Sequence, residues 1–82
     1  MGHGETETRL SVHRLDAGFY ELRCGGRVFT AHSAERWSEG QRRGYWLLFE
    51  QADARYEQAW CNNFATLGDC KDAVETIVRE EV

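Results

Sequence analysis

The 82-residue chain contains no proline, and its three cysteines, Cys24, Cys61 and Cys70, include no CxxC pair. An odd, unpaired set argues against a disulfide scaffold, which a small secreted domain builds from an even number. The expectation is free, mostly buried thiols in a reducing cytosol. Without proline, and with 8 glycines and 12% aromatic residues, the composition is that of a globular chain and not of a disordered one. No apolar run approaches the roughly 18 residues of a membrane span. The longest is Tyr45-Trp46-Leu47-Leu48-Phe49. The opening Met1-Gly2-His3-Gly4-Glu5-Thr6 lacks the basic and apolar regions of a secretory signal. Residues 1–7 therefore read as a flexible leader and 8–82 as one domain, cytoplasmic and without membrane contact.

Net charge is −4, unevenly distributed. Acids and bases balance at seven each over residues 1–50, whereas residues 51–82 hold seven acids and three bases. An acidic chain is repelled by phosphate unless its bases gather on one face, which disfavours a nucleic-acid partner.

Alternation marks the strands. Thr8–Arg14 places Leu10 and Val12 on one face, and Asp16-Ala17-Gly18 reads as a turn. Phe19–Cys24 and Arg27–His32 are separated only by Gly25-Gly26, the chemistry of a two-residue primed turn. Such a turn fixes register. It sets Cys24 against Arg27, Leu22 against Phe29 and Tyr20 against Ala31, with Glu21/Thr30 and Arg23/Val28 on the other face. Residues 33–44 are polar except for Trp37 and read as a loop, and Gly44–Glu50 reads as a third strand. Gln51–Cys61 has helical composition, yet Tyr56, Gln58 and Trp60 alternate. A hairpin is favoured there, with Ala52–Arg55 as its loop, because strand 44–50 otherwise lacks a sequential neighbour.

Thr66 and Asp69 resemble a capping box, and Leu67, Cys70, Ala73, Val74, Ile77 and Val78 form the apolar stripe of a helix of about 14 residues. The predicted fold is α+β: a three- to four-stranded antiparallel sheet packed on one C-terminal amphipathic helix. A helix of that size covers one face of the sheet. Strand 44–50, however, is apolar on both: Tyr45, Leu47 and Phe49 on one, Trp46 and Leu48 on the other. Strands read that way when both faces are covered. The remaining cover falls to the 33–44 loop, with Trp37 as a lid, or to a partner. On the second reading Trp37, Arg36, Arg42, Arg43 and Tyr45 form a partner-binding surface, since Trp, Tyr and Arg dominate binding hot spots.

No catalytic, cofactor or metal signature stands out. His3, His13 and His32 lack the short spacing of zinc ligands. Cys24 with His13 or His32 would imitate a nucleophile pair, but nothing supplies an oxyanion site or an orienting third group. Gly25-Gly26 is not followed by the Lys-Ser/Thr and helix of a phosphate loop.

The segment Phe64-Ala-Thr66-Leu67-Gly-Asp69-Cys-Lys-Asp-Ala73-Val, after a Trp-bearing strand, resembles small uncharacterised proteins of actinobacteria and their phages. It is also similar to the three-stranded-sheet-plus-helix DNA-binding domains of plant AP2 factors and integrase N-terminal arms. Both resemblances cover about the last third of the chain. The first implies a phage-type or accessory protein, and the second a DNA reader using Arg23, Arg9 and Arg14 on its sheet face. The reading that follows is a non-enzymatic interaction module that binds a host protein or itself. The alternative is a nucleic-acid-binding domain acting through its sheet.

Overall fold

The computed structural model of the chain describes residues 9–52, 55–59 and 63–80. Five strands, β1 (Ser11–Asp16), β2 (Phe19–Cys24), β3 (Arg27–Ser38), β4 (Gln41–Ala52) and β5 (Arg55–Gln58), pair in chain order as one antiparallel meander. Among the described residues one helix, α1 (Leu67–Glu80), follows. The α+β architecture with a C-terminal helix is as expected, while the strand count is five and not three to four. The leader and Trp60–Asn62 lie outside the described residues.

Gly25 and Gly26 take positive φ, 59° and 79°, which a primed turn requires at both central positions. The register they set is the expected one: Leu22 faces Phe29, Tyr20 faces Ala31, and Cys24 faces Arg27. Since side chains alternate across a strand, this register sorts every later residue to one face or the other. Between β1 and β2 the register slips at Arg14/Asp16. The slip leaves Leu15 exposed on an edge strand with no buried residue.

The reading of 33–44 as a loop is overturned. Residues 33–38 continue β3 and 41–44 begin β4, paired without a break from Phe29↔Glu50 to Ser38↔Gln41. Trp37 therefore does not fold back over the sheet. It stands on a ribbon, 69% exposed, opposite Arg42. β2 runs out at Phe19↔His32, and one last bond, from Ser33 N to Gly18 O at 2.8 Å, closes the corner. Beyond it, among the described residues, Ala34–Ser38 pair with β4 alone.

The favoured hairpin is present as β4 and β5, in register from Ala52↔Arg55 to Phe49↔Gln58, but Ala52 and Arg55 are paired strand residues and not loop, and residues 53–54 lie outside the described residues. The chain then keeps to the β4 edge. Ala59 N donates to Leu48 O at 2.9 Å, and Trp46 and Phe64 exchange backbone bonds of 2.7 and 3.0 Å. At Thr66 it turns into α1, whose first turn is capped by Asp69 N donating to Thr66 Oγ1 at 3.1 Å.

α1 lies against β2, β3 and β4. Its buried stripe, Cys70, Ala73, Val74, Ile77 and Val78, packs on Leu22, Cys24, Phe29, Ala31 and Leu48. At the margin of this core, Arg27 donates two hydrogen bonds to the Glu50 carboxylate, at 2.7 and 2.6 Å, with its guanidinium over the Phe29 ring. One sheet face is thereby committed to the core. The other carries no helix among the described residues.

Candidate interaction surface

Strand alternation brings Phe19 of β2, Thr30 and His32 of β3, Leu47 and Phe49 of β4 and Tyr56 of β5 onto the face opposite α1. They line an open groove of about 390 Å³. A concave, mostly apolar site with a few convergent polar groups is the usual form of a binding pocket. Here the polar groups lie at its centre. Thr30 Oγ1 and His32 Nε2 share a hydrogen bond at 3.1 Å. The Thr30 residue is 2% exposed although it sits on the helix-free face and lines the groove. His32 has Phe19 tilted against it at 4.6 Å between centroids and Phe49 in a T-shaped arrangement at 5.1 Å. Burial among these rings lowers the His32 pKa below its ordinary value, so the neutral imidazole is favoured.

The five residues expected to bind a partner are divided by the β3–β4 register. Arg36 pairs with Arg43 and Ala34 with Tyr45, which places Arg36, Arg43 and Tyr45 on the same face as the groove. Trp37 and Arg42 pair with each other one step further along and so point to the opposite face. There Arg42 Nε lies 3.6 Å from Glu35. The Arg36 guanidinium sits over the Tyr45 ring, 5.7 Å from its centroid. Arg36, Arg43 and Tyr45 also border a second hollow of about 270 Å³, closed on its far side by Asn63, Phe64 and Ala65. Groove and hollow are neighbours along the same strands, so the face runs from rings to arginines without a break.

Sequence reasoning placed Tyr45, Leu47 and Phe49 together but missed Phe19, Thr30, His32 and Tyr56 as their companions. The signal was present. The Gly25-Gly26 register already set Thr30 opposite Glu21, away from the Leu22/Phe29 face, and His32 follows Thr30 on the same face.

The same register separates the cysteine from the histidines. Cys24 lies on the helix side with Leu22, whereas His13, opposite Glu21, and His32, opposite Phe19, lie on the other. The Cys–His pairing weighed from the sequence is therefore not formed. Neither Cys24 nor Cys70 is in a disulfide, and both are buried. Among the described residues no three His, Cys, Asp or Glu side chains gather as a metal site, and no helix is long and apolar enough to cross a membrane.

No protein family matches the chain, and no curated protein or solved structure is significantly similar to it.

Proposed function

We propose that this chain is a binding module whose helix-free sheet face receives a protein partner. The observation that carries the reading is the groove of Phe19, Thr30, His32, Leu47, Phe49 and Tyr56, an aromatic hollow on the side that α1 does not cover. Large apolar side chains held at a surface mark interaction sites more often than chance exposure does. The continuation into Tyr45, Arg36 and Arg43 adds the residue types that concentrate binding energy. The work is done by burial and charge complementarity, not by bond making.

The test uses a random-peptide display selection against the wild-type chain, with Leu47→Asp as the counter-target, alongside light scattering of both proteins. Ligands that enrich on the wild type and not on the variant, or an oligomer that dissociates in the variant, support the reading. Enrichment that ignores the substitution, or no ligand together with an unchanged monomer, overturns it.

A second reading, nucleic-acid binding through the same face, is favoured by the distribution of charge. Asp69, Asp72 and Glu80 stand exposed on α1, behind the sheet, so Arg36 and Arg43 are removed from the acid that dominates the net charge. Retardation of a duplex or single strand that weakens steeply with salt would favour it.

A further inference from the structure

Arg36 and Arg43 lie directly opposite each other across β3–β4. Like charges in that position destabilise a sheet unless an anion joins them. Four other arginines of the sheet are answered by a carboxylate: Arg23 by Glu21, Arg27 by Glu50, Arg42 by Glu35 and Arg55 by Glu57. Among the described residues no carboxylate answers Arg36 or Arg43. Both project beside the hollow shared with Tyr45 and Phe64, on the face that carries the aromatic groove.

Building on the reading of this face as an interaction surface, we propose that its occupant is an acidic peptide segment with one large apolar anchor. The anchor fills the Phe19–Tyr56 groove, and one or two carboxylates bridge Arg36 and Arg43. Four residues of strand separate the His32 row from the Arg36 row, roughly 13 Å at about 3.3 Å per residue. An extended peptide spans that distance with its anchor and its acid three to four residues apart. Bidentate guanidinium–carboxylate bonding is the strongest way to satisfy the pair.

Charge selects this occupant over a second copy of the chain. The acids of α1 lie on a polar outer surface that offers no anchor for the groove. Two open faces laid together with their strands in the same direction would set the Arg36/Arg43 pairs against each other. On the open face itself, Glu21 is already engaged by Arg23 at 2.8 Å. Ring geometry selects it over a nucleic-acid strand. Bases stack on successive free aromatic faces, and among the groove's rings Phe19, His32 and Phe49 already contact one another, which leaves only the exposed Tyr56.

The experiment titrates the full chain into labelled synthetic probes and reads fluorescence anisotropy. The probes are a peptide with a Trp anchor followed three and four residues later by Glu, its Lys-for-Glu counterpart, its Ser-for-Trp counterpart, and an oligothymidine. The Trp/Glu peptide should bind at least about tenfold more tightly than either counterpart and more tightly than the oligothymidine. The double variant Arg36→Glu/Arg43→Glu should reverse the preference between Glu and Lys, and Leu47→Ser should weaken both peptides. The arginines are exposed, so the charge reversal leaves the fold intact, and a circular-dichroism melt verifies this. Equal affinity for the Glu and Lys peptides, tighter binding of oligothymidine, or no binding of any probe overturns the proposal. If the charge reversal changes nothing while Leu47→Asp still abolishes selected ligands or the oligomer, the interaction surface stands and the acidic occupant falls. If Leu47→Asp has no effect either, both fall.

Discussion

The carbonyl of Gly18 accepts a 2.8 Å bond from Ser33 N, and a Cβ at Gly18 would lie 2.9 Å from Ser33 Cβ. This contact closes the corner at which the five-stranded sheet narrows into the β3–β4 ribbon. Gly18 also holds φ at 69°, where side chains are disfavoured. Gly18→Ala should therefore cost about 1–3 kcal/mol, combining backbone strain with the displacement of Ser33. At about 4–8 °C per kcal/mol for a domain of this size, the thermal midpoint falls clearly. Gly26→Ala is the control. Its φ is likewise positive, but nothing stands within 4 Å of a Cβ there, so it should lose less. Equal losses for the two would assign the whole effect to φ and none to the corner.

Leu47 and Leu48 are neighbours in sequence with opposite duties. Leu48 is 0% exposed in the core under α1, while Leu47 lines the open groove. Leu48→Ala removes buried methyl groups and leaves a cavity, for about 2–5 kcal/mol. Leu47→Ala should cost under about 1.5 kcal/mol, because its side chain is only partly enclosed. Urea titrations of both variants read the difference. A Leu47 loss as large as that of Leu48 would show that the open face is part of the folding core, and it would disqualify Leu47 variants as probes of binding.

Most of the fold was legible because it is written in local chemistry. Gly25-Gly26 dictates a turn and hence a register, and Thr66 with the following apolar stripe dictates a capped helix. The ribbon was illegible for a physical reason. With both of its faces outside the core, residues 33–44 carry no apolar alternation, the principal signature of a strand. Its turn also departs from the usual pairs, since Glu39 takes φ 53° where Asn or Asp normally precedes the glycine. Because the ribbon was missed, Trp37 was grouped with Arg36 and Tyr45 by proximity in sequence, and only a register shows that it faces the other way. The groove was half legible, as the double-sided apolarity of Tyr45–Phe49 located its β4 wall. Its other walls come from three strands, and Tyr56 of β5 joins them only through a hairpin that the sequence favours on neighbour order alone, against its helical composition.

Cys70 should be chemically silent in the folded protein. It is buried under the sheet, and that burial, with Asp69 adding its negative charge, pushes the thiol up to about 11. The thiolate is the reactive form, so little is available near neutral pH. Native protein treated with iodoacetamide at about pH 8 should leave Cys70 unmodified, and denatured protein should label it fully, as read by peptide mass mapping. The folded value lies above the ordinary thiol value, so stability is retained below that value. It declines as pH rises past it, where the unfolded thiol ionises and the folded one does not. Rapid native labelling would contradict the buried placement of the α1 N-terminal half.

His32 makes stability depend on pH in the acidic direction. Burial between Phe19 and Phe49 lowers its folded pKa from 6.5, and the other residues lining the groove, Thr30, Leu47 and Tyr56, bring no carboxylate to offset a positive imidazolium. Above about 6.5 the ring is neutral in folded and unfolded chains alike and adds no pH dependence. As pH falls below that, the unfolded chain takes up the proton first, so it binds more protons than the folded one and stability drops. The decline continues until the folded ring protonates as well. The denaturant midpoint should therefore fall between about pH 7 and pH 5, and His32→Gln, which can still hydrogen-bond Thr30, should remove that part of the slope. Ligand binding in the groove shares the linkage, since protonation puts a charge among the rings that an apolar anchor would cover. Affinity of the Trp/Glu peptide should weaken only at more acidic pH, where the folded ring itself protonates, in the wild type and less so in His32→Gln. A wild-type slope that survives the substitution unchanged would place the acid sensitivity elsewhere in the chain.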